Sequence, residues 1–277
     1  MLPSTAGGND VSQHRESVLM RCTKGALFAL AFCAAALAQE QPSTRAYEPQ
    51  SGQAGKDVVW VPTPQITVDV MLELAKVGPK DFVMDLGSGD GRLVITAAKR
   101  GARGMGVEYN PDLVELSRRN AEKEGVAGRA RFVKADLFQT DFSQATVITL
   151  FLLTDLNVKL RPKLLALKPG TRIVANTFNM GDWAPDDSVE LGYNAGCNSA
   201  WCTALLWIVP ARVEGTWAIP QGEVSFKQRY QKLTGALYTE GTTYPLAGSV
   251  RGEEIRFTAN GREYTGRLNG TKLELRP

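Results

Sequence analysis

Apolar positions along the chain set a helix-and-strand grammar between residues 58 and 178 and a different one afterwards. Trp60-Val61-Pro62-Thr63-Pro64 reads as a rigid extended entry, after which Ile66, Val68, Met71, Leu72 and Leu74 recur at helical spacing. Strands are predicted over 82–86, 104–108, 131–135, 146–152 and 171–178. Amphipathic helices are predicted over 92–99, 111–124 (Asn110 as N-cap, Pro111 in the first turn) and 157–167, the last stopped by Pro169-Gly170. Strand and helix in alternation argue for a parallel, doubly wound, Rossmann-like α/β sheet.

After Phe178 the period shortens. Residues 179–202 read as a polar loop, and 204–208 with 215–219 as two strands with no helix between them, an antiparallel hairpin closing the sheet edge. Residues 220–277 are β-like throughout and hold an internal repeat of period 18: Leu246, Gly248, Val250, Gly252, Ile255 and Phe257 are matched by Tyr264, Gly266, Leu268, Gly270, Leu273 and Leu275. Asn260-Gly261 and Asn269-Gly270 are strong hairpin-turn dipeptides, so a small C-terminal β-meander is expected, serving either to cover an edge or to recognise a partner.

The N-terminal end has a third character. Residues 25–38, GALFALAFCAAALA, form an unbroken apolar run behind Arg21 and Lys24, and Ala36-Leu37-Ala38 before Gln39 resembles a cleavage site. This pattern predicts a secretory signal peptide over 1–38, with Met20 heading a compact basic n-region as the candidate start. The run is short for a bilayer span, so export to the periplasm or medium is the expectation and a membrane anchor over 25–38 the alternative. Residues 39–57, rich in Gln, Ser, Pro and Gly, read as a flexible linker. The expected organisation is therefore a leader (1–38), a linker (39–57), an α/β domain (58–219) and a β-rich extension (220–277).

Composition narrows the chemistry. The 277 residues are 43% hydrophobic, enough for one ordinary α/β domain with an appendage. A net charge of +3, with Lys and Arg scattered, lacks the clustered basic footprint of a nucleic-acid binder. The lone histidine, His14, falls in the expected leader, which leaves the mature chain no histidine general base, triad or metal ligand. Removing the leader also leaves only Cys197 and Cys202, which in an exported chain read as a disulfide, with two free thiols as the alternative.

The stretch Asp85-Leu86-Gly87-Ser88-Gly89-Asp90-Gly91-Arg92 follows the first predicted strand and opens the helix after it. Such a loop frees backbone N–H groups and lets a ligand approach without Cβ obstruction. A dinucleotide loop wants a third glycine where Arg92 stands, and Asp85 would repel a pyrophosphate, so an NAD-dependent oxidoreductase is disfavoured. A cation would be welcome there. Glu108, ending the second strand, can accept from ribose hydroxyls, and Asp136 in Lys134-Ala135-Asp136-Leu137-Phe138 from an adenine amino group. Ribose, adenine and a positively charged third part without phosphates describe S-adenosylmethionine.

The order DLGSGDGR, GVEYN, KADLF and ALKPGTRIV resembles that of class I S-adenosylmethionine-dependent methyltransferases over about residues 58–219. VPTP and GSGDGR further resemble the small lysine methyltransferases that act on the ATP synthase c subunit and on the adenine nucleotide translocase, together with their bacterial homologues. The resemblance implies S-adenosylmethionine as cofactor and a protein amine as acceptor. It implies Asp85, Gly87, Ser88, Gly89 and Gly91 around the methionine end, Glu108 on the ribose, and Asp136 with Leu137 on the adenine. The Asn/Asp-Pro-Pro-aromatic motif of many amino-methylating enzymes is missing after the fourth strand; Asp155 is the candidate there for orienting or deprotonating a nucleophile, or else a helix-capping residue. Asn176, Asp182 and Trp183 are candidates for the acceptor side, Trp183 equally for the core. A non-catalytic binding module acting through the β-rich tail is the competing reading.

Overall fold

The computed structural model describes residues 47–192, 195–220 and 222–276; the predicted leader and residues 39–46 of the predicted linker lie outside the described residues. Two seven-stranded sheets organise the described chain.

The first sheet grows outward from β1 (Phe82–Leu86), whose last four residues are buried. It pairs in parallel with β2 (Arg103–Glu108) on one side and β4 (Val147–Leu150) on the other, and β3 (Ala130–Lys134) and β5 (Arg172–Asn176) extend it outward, also in parallel. Connections after β1 therefore leave toward β2 while β4 lies on the opposite flank. That divergence opens a crevice at the carboxyl ends of β1 and β4, the place where doubly wound sheets bind ligands. Helices α1 (Gln65–Leu74), α2 (Arg92–Lys99), α3 (Pro111–Lys123) and α4 (Thr154–Leu165) cover the faces. In α3 Asn110 caps the first turn by accepting from the Asp112 N–H at 2.9 Å, with Pro111 at the first helical position.

The sheet ends differently from the sequence expectation. β7 (Thr203–Ile208) pairs antiparallel with β5, and its other neighbour is β6 (Asp187–Glu190), a short strand inside the stretch read as a polar loop. Gly215–Ile219, expected as the partner of 204–208, is instead the first strand of the second sheet, β8, pairing with β9 (Gly222–Arg229). Two neighbouring apolar strands read alike in sequence whichever sheet they join. Here residues 209–214 carry the chain away, with the Ala211 N–H donating to Gly252 O at 2.7 Å.

The second sheet is a meander, β8 to β14 in chain order, through β10 (Lys232–Thr239), β11 (Thr242–Arg251), β12 (Glu254–Ala259), β13 (Arg262–Asn269) and β14 (Lys272–Arg276). It curls so that β14 comes back near β8. Val224, Phe226, Leu237, Val250, Ile255 and Phe257 fill the inside with their neighbours, while charged residues alternate outward. The 18-residue repeat corresponds to two successive hairpins, β11–β12 and β13–β14. A Cβ at Gly248 would sit 2.1 Å from Arg256 O, and one at the matching Gly266 2.3 Å from Glu274 O, so both glycines are required by close strand approach.

One network ties the meander to the first sheet. Asp182 accepts from Arg161 of α4, from Arg229 Nη2 at 2.7 Å and from the Tyr230 hydroxyl at 3.0 Å, and Trp183 stacks on Tyr230 with centroids 5.9 Å apart. Trp183 is wholly buried against Trp207, so of its two expected roles it takes the core one.

Phe226 is 1% exposed and meets Phe257 edge-on at 5.4 Å. Phe226→Ala should lower stability by about 3–5 kcal/mol, read as an earlier urea midpoint at unchanged slope.

Candidate active site

The turn after β1 is built from three glycines in the left-handed region, Gly87 (φ +88°), Gly89 (φ +54°) and Gly91 (φ +83°). At two of them space also forbids a side chain. A Cβ on Gly89 would lie 2.6 Å from the Trp60 indole nitrogen, and one on Gly91 2.7 Å from the Phe132 ring. The Gly87 and Ser88 N–H groups donate to Val107 O at 2.8 and 3.0 Å, and the Ser117 hydroxyl donates to Gly89 O at 2.8 Å. The loop is thus fastened to β2 and α3 before any ligand arrives.

Glu108 closes the next corner. One carboxylate oxygen accepts from the Gly89 N–H at 3.0 Å and the other from the Asn110 N–H at 2.9 Å, which fixes the carboxylate plane and leaves lone pairs for further donors. Asp136, after β3, accepts from the Phe138 N–H at 2.8 Å and from the Lys56 ammonium at 2.9 Å. The Lys56 hydrogen bond is the main cause that holds the Asp136 carboxyl below its usual range.

Asp85 sits deepest. It is 2% exposed and accepts from the Thr149 hydroxyl at 2.6 Å. Burial, with Glu108 and Asp90 nearby as further negative charges, pushes its carboxyl up to about 7 against the partly compensating Thr149 hydrogen bond.

Asp85, Gly87, Ser88, Gly89, Glu108, Asp136 and Leu137 all line one cleft of about 960 Å³, part of it open to solvent, while Gly91 caps α2 beneath it. Sequence reasoning missed the other wall. Residues 53–63 line the cleft opposite the glycine turn, although 39–57 read as linker. That segment is fastened by its own backbone, Gly52 N–H to Trp60 O at 2.8 Å and Trp60 N–H to Gln53 O at 2.9 Å, and by Arg92, whose guanidinium spans Asp90 and Thr63 O. Arg92, at the position where a dinucleotide loop would have glycine, is thus the anchor of this wall. Tyr109 and Phe151 also line the cleft.

Asp155 is not among the residues lining the cleft. It is exposed in the first turn of α4, a position where its charge suits the helix dipole. Asn176 is wholly buried at the end of β5, and Asp182 belongs to the network joining the two sheets.

The fit to a ligand follows from these charges. Five carboxylates, Asp57, Asp85, Asp90, Glu108 and Asp136, line the cleft around the backbone loop, its two cations Lys56 and Arg92 are already paired with Asp136 and Asp90, and Ser88 Oγ, buried in its wall, has no hydrogen-bond partner among the described residues. Such a site suits a ligand with several hydroxyl or amino donors and a positive centre, and is hostile to phosphate.

Comparison with known proteins agrees. A family model described as the ANTKMT methyltransferase domain matches residues 85–187. A protein-lysine N-methyltransferase of Saccharolobus islandicus is 48% identical over 137 residues, 48% of this chain and 85% of that protein. The chain belongs to this methyltransferase family. The human lysine N-methyltransferase named for the ATP synthase c subunit is 42% identical over 105 residues, 38% of this chain but only 45% of that protein, so the methyltransferase spans less than half of that relative's length. A Salinibacter ruber structure, named an RNA methyltransferase and crystallised with S-adenosyl-L-homocysteine, is 49% identical with a TM-score of 0.51, covering 55% of this chain and 96% of its own. The cofactor of the methyltransferase is S-adenosylmethionine, and the cleft residues are of the kind that would hold it.

The raised carboxyl of Asp85 gives donor binding a pH dependence. Because its folded value lies above the unfolded one, its contribution to stability is full below about pH 4 and is lost as pH rises toward about 7. A cationic ligand favours the ionised form, so calorimetry should show S-adenosylmethionine affinity increasing from pH 6 to pH 8, and Asp85→Asn should bind more weakly at pH 8 with that dependence flattened.

Proposed function

We propose that this methyltransferase modifies the side-chain amino group of protein lysine. The observation that carries the reading is the 48% identity to a named protein-lysine N-methyltransferase across 85% of that relative's length. The printed name of the Salinibacter structure supports a second reading, RNA methylation. The scattered basic residues, +3 in total, weigh against it, since RNA binders gather such charge on one face.

Bound in the cleft, S-adenosylmethionine supplies an already activated methyl group on a sulfonium leaving group. The chain's own residues align, desolvate and exclude water. Glu108, its plane set by two N–H donors, would hold the ribose hydroxyls. Asp136 and Leu137 would take the adenine, and Asp85 would face the positive methionine end. Beyond Asp85 the cleft wall passes to Phe151 and Leu152 at the end of β4, an apolar approach in which an incoming ammonium is desolvated and loses its proton more readily. The reaction needs the neutral amine, and this environment favours it without a histidine.

A direct test incubates the protein with methyl-labelled donor and, separately, total cell protein and total RNA. The expected result is label that survives ribonuclease and appears as methyl-lysine after acid hydrolysis. Label confined to RNA would overturn the lysine reading.

We further infer export. Support comes from the leader pattern in residues 20–38 and from the Cys197–Cys202 disulfide, a bond at home in oxidising compartments. Among the described residues no helix is long and apolar enough to cross a membrane. Cell fractionation with N-terminal sequencing should find a mature chain starting at Gln39 in the periplasm or medium; a cytosolic protein starting at Met1 or Met20 would contradict it.

A further inference from the structure

We propose that Phe151, Phe178 and Trp201 form the acceptor recess of the methyltransferase, taking a primary alkylamine side chain, and that the Cys197–Cys202 disulfide holds its third wall in place. This inference rests on the proposed lysine specificity.

The three rings touch pairwise, with centroids 6.1 Å apart for Phe151–Phe178, 5.6 Å for Phe151–Trp201 and 5.6 Å for Phe178–Trp201. All three are half-buried rather than sealed in a core. They come from three separate places, the ends of β4 and β5 and the loop before β7, yet converge at one point of the sheet's carboxyl edge. Phe151 lines the cofactor cleft and the other two rings pack against it, which places the cluster at that cleft's margin on the β4 and β5 flank. Glu108 and Asp136 mark the β2 and β3 flank as the ribose and adenine side. The acceptor must therefore come from the opposite side, where these rings stand.

The chemistry of the wall matches an alkylamine. Ring faces draw in the ammonium through the quadrupole and the methylene stem lies against apolar surface; desolvation opposes that preference for the charged form, so the proton passes to water at the mouth of the recess and leaves the neutral nitrogen that attack requires.

Each wall is separately braced. Buried Asn157 of α4 donates through Nδ2 to Phe178 O at 3.1 Å and Asn179 O at 3.2 Å, fixing the backbone that carries Phe178. Trp201 is the last of the four residues between Cys197 and Cys202, both buried, and its carbonyl accepts from the Thr67 hydroxyl of α1 at 3.1 Å. A loop that short, closed by a covalent bond and pinned to α1, gives the indole few alternatives. Trp201 is therefore a specificity-determining residue, and the disulfide positions it.

The test uses the mature protein saturated with S-adenosyl-L-homocysteine and n-butylamine as a lysine side-chain probe, with binding followed by saturation-transfer NMR. Trp201→Ala and the Cys197→Ser/Cys202→Ser pair should each weaken the probe by about five- to tenfold, the scale of a partly desolvated cation–π contact. Trp201→Phe should keep most of the affinity. Calorimetric affinity for S-adenosyl-L-homocysteine should be unchanged in all three, which also verifies folding. Unchanged amine binding in Trp201→Ala, loss of S-adenosyl-L-homocysteine binding by the well-folded Trp201→Phe protein, or tighter binding of cytidine than of n-butylamine would each overturn the recess. Methyl-lysine formed by Trp201→Ala at an unaltered acceptor KM would overturn the recess while leaving the lysine reading standing; absence of methyl-lysine from the wild-type reaction would overturn that reading itself.

Discussion

The turn from Gly87 to Gly91 rests on three glycines at positive φ, two of which have no room for a Cβ. Of the two constraints, space is the harder. Trp60 presses on Gly89 from the wall opposite, and Phe132 and Ser117 press on Gly91 from β3 and α3. The wall opposite, β3 and α3 thus all press on the same five-residue turn. A side chain at either glycine would push apart elements that the rest of the sheet holds fixed, so cofactor geometry and core packing are one problem here.

Charge is the second organising term, and it is arranged by depth. Asp85 is buried with a hydroxyl for company and a carboxyl raised toward neutrality, whereas Asp136 at the rim is satisfied by Lys56 and a backbone N–H. The deep carboxylate lacks a protein cation among its hydrogen-bond partners; the shallow one already has one. A ligand with a positive centre therefore gains most at the bottom of the cleft, while at the rim Asp136 already shares an oxygen with Lys56.

The glycine-turn wall of the cleft was legible in the sequence because its signals are local. The apolar strand, the glycine spacing, Asp85 in the loop and Glu108 at the next strand end each lie within a few residues of what they shape. The opposite wall was not legible, since Gln53 to Asp57 have the polar, glycine-containing composition of a linker. What orders them comes from afar, Lys56 reaching Asp136 eighty residues on and Arg92 reaching back to Thr63. The assignment of Gly215–Ile219 failed for a related reason: alternation marks a strand but not its sheet. β6, with Asp, Ser, Val and Glu, has too few apolar residues to read as a strand, and Asp155 drew attention by its place after β4 although its side chain stands in solvent. The aromatic convergence of Phe151, Phe178 and Trp201 leaves no sequence trace, because three chain-distant residues meet only once the sheet and the disulfide loop are built.

The two outer strands of the first sheet bear on how the chain keeps to itself. β3 and β6 are five and four residues long, and their exposed positions include Arg131, Lys134, Asp187 and Glu190. In the meander the first and last strands curl toward each other. A protein with this much β-structure would ordinarily offer neighbours a template for edge-to-edge pairing. Short, charged margins on one sheet and a curled perimeter on the other deny that template, so the chain carries its own protection against intermolecular strand addition.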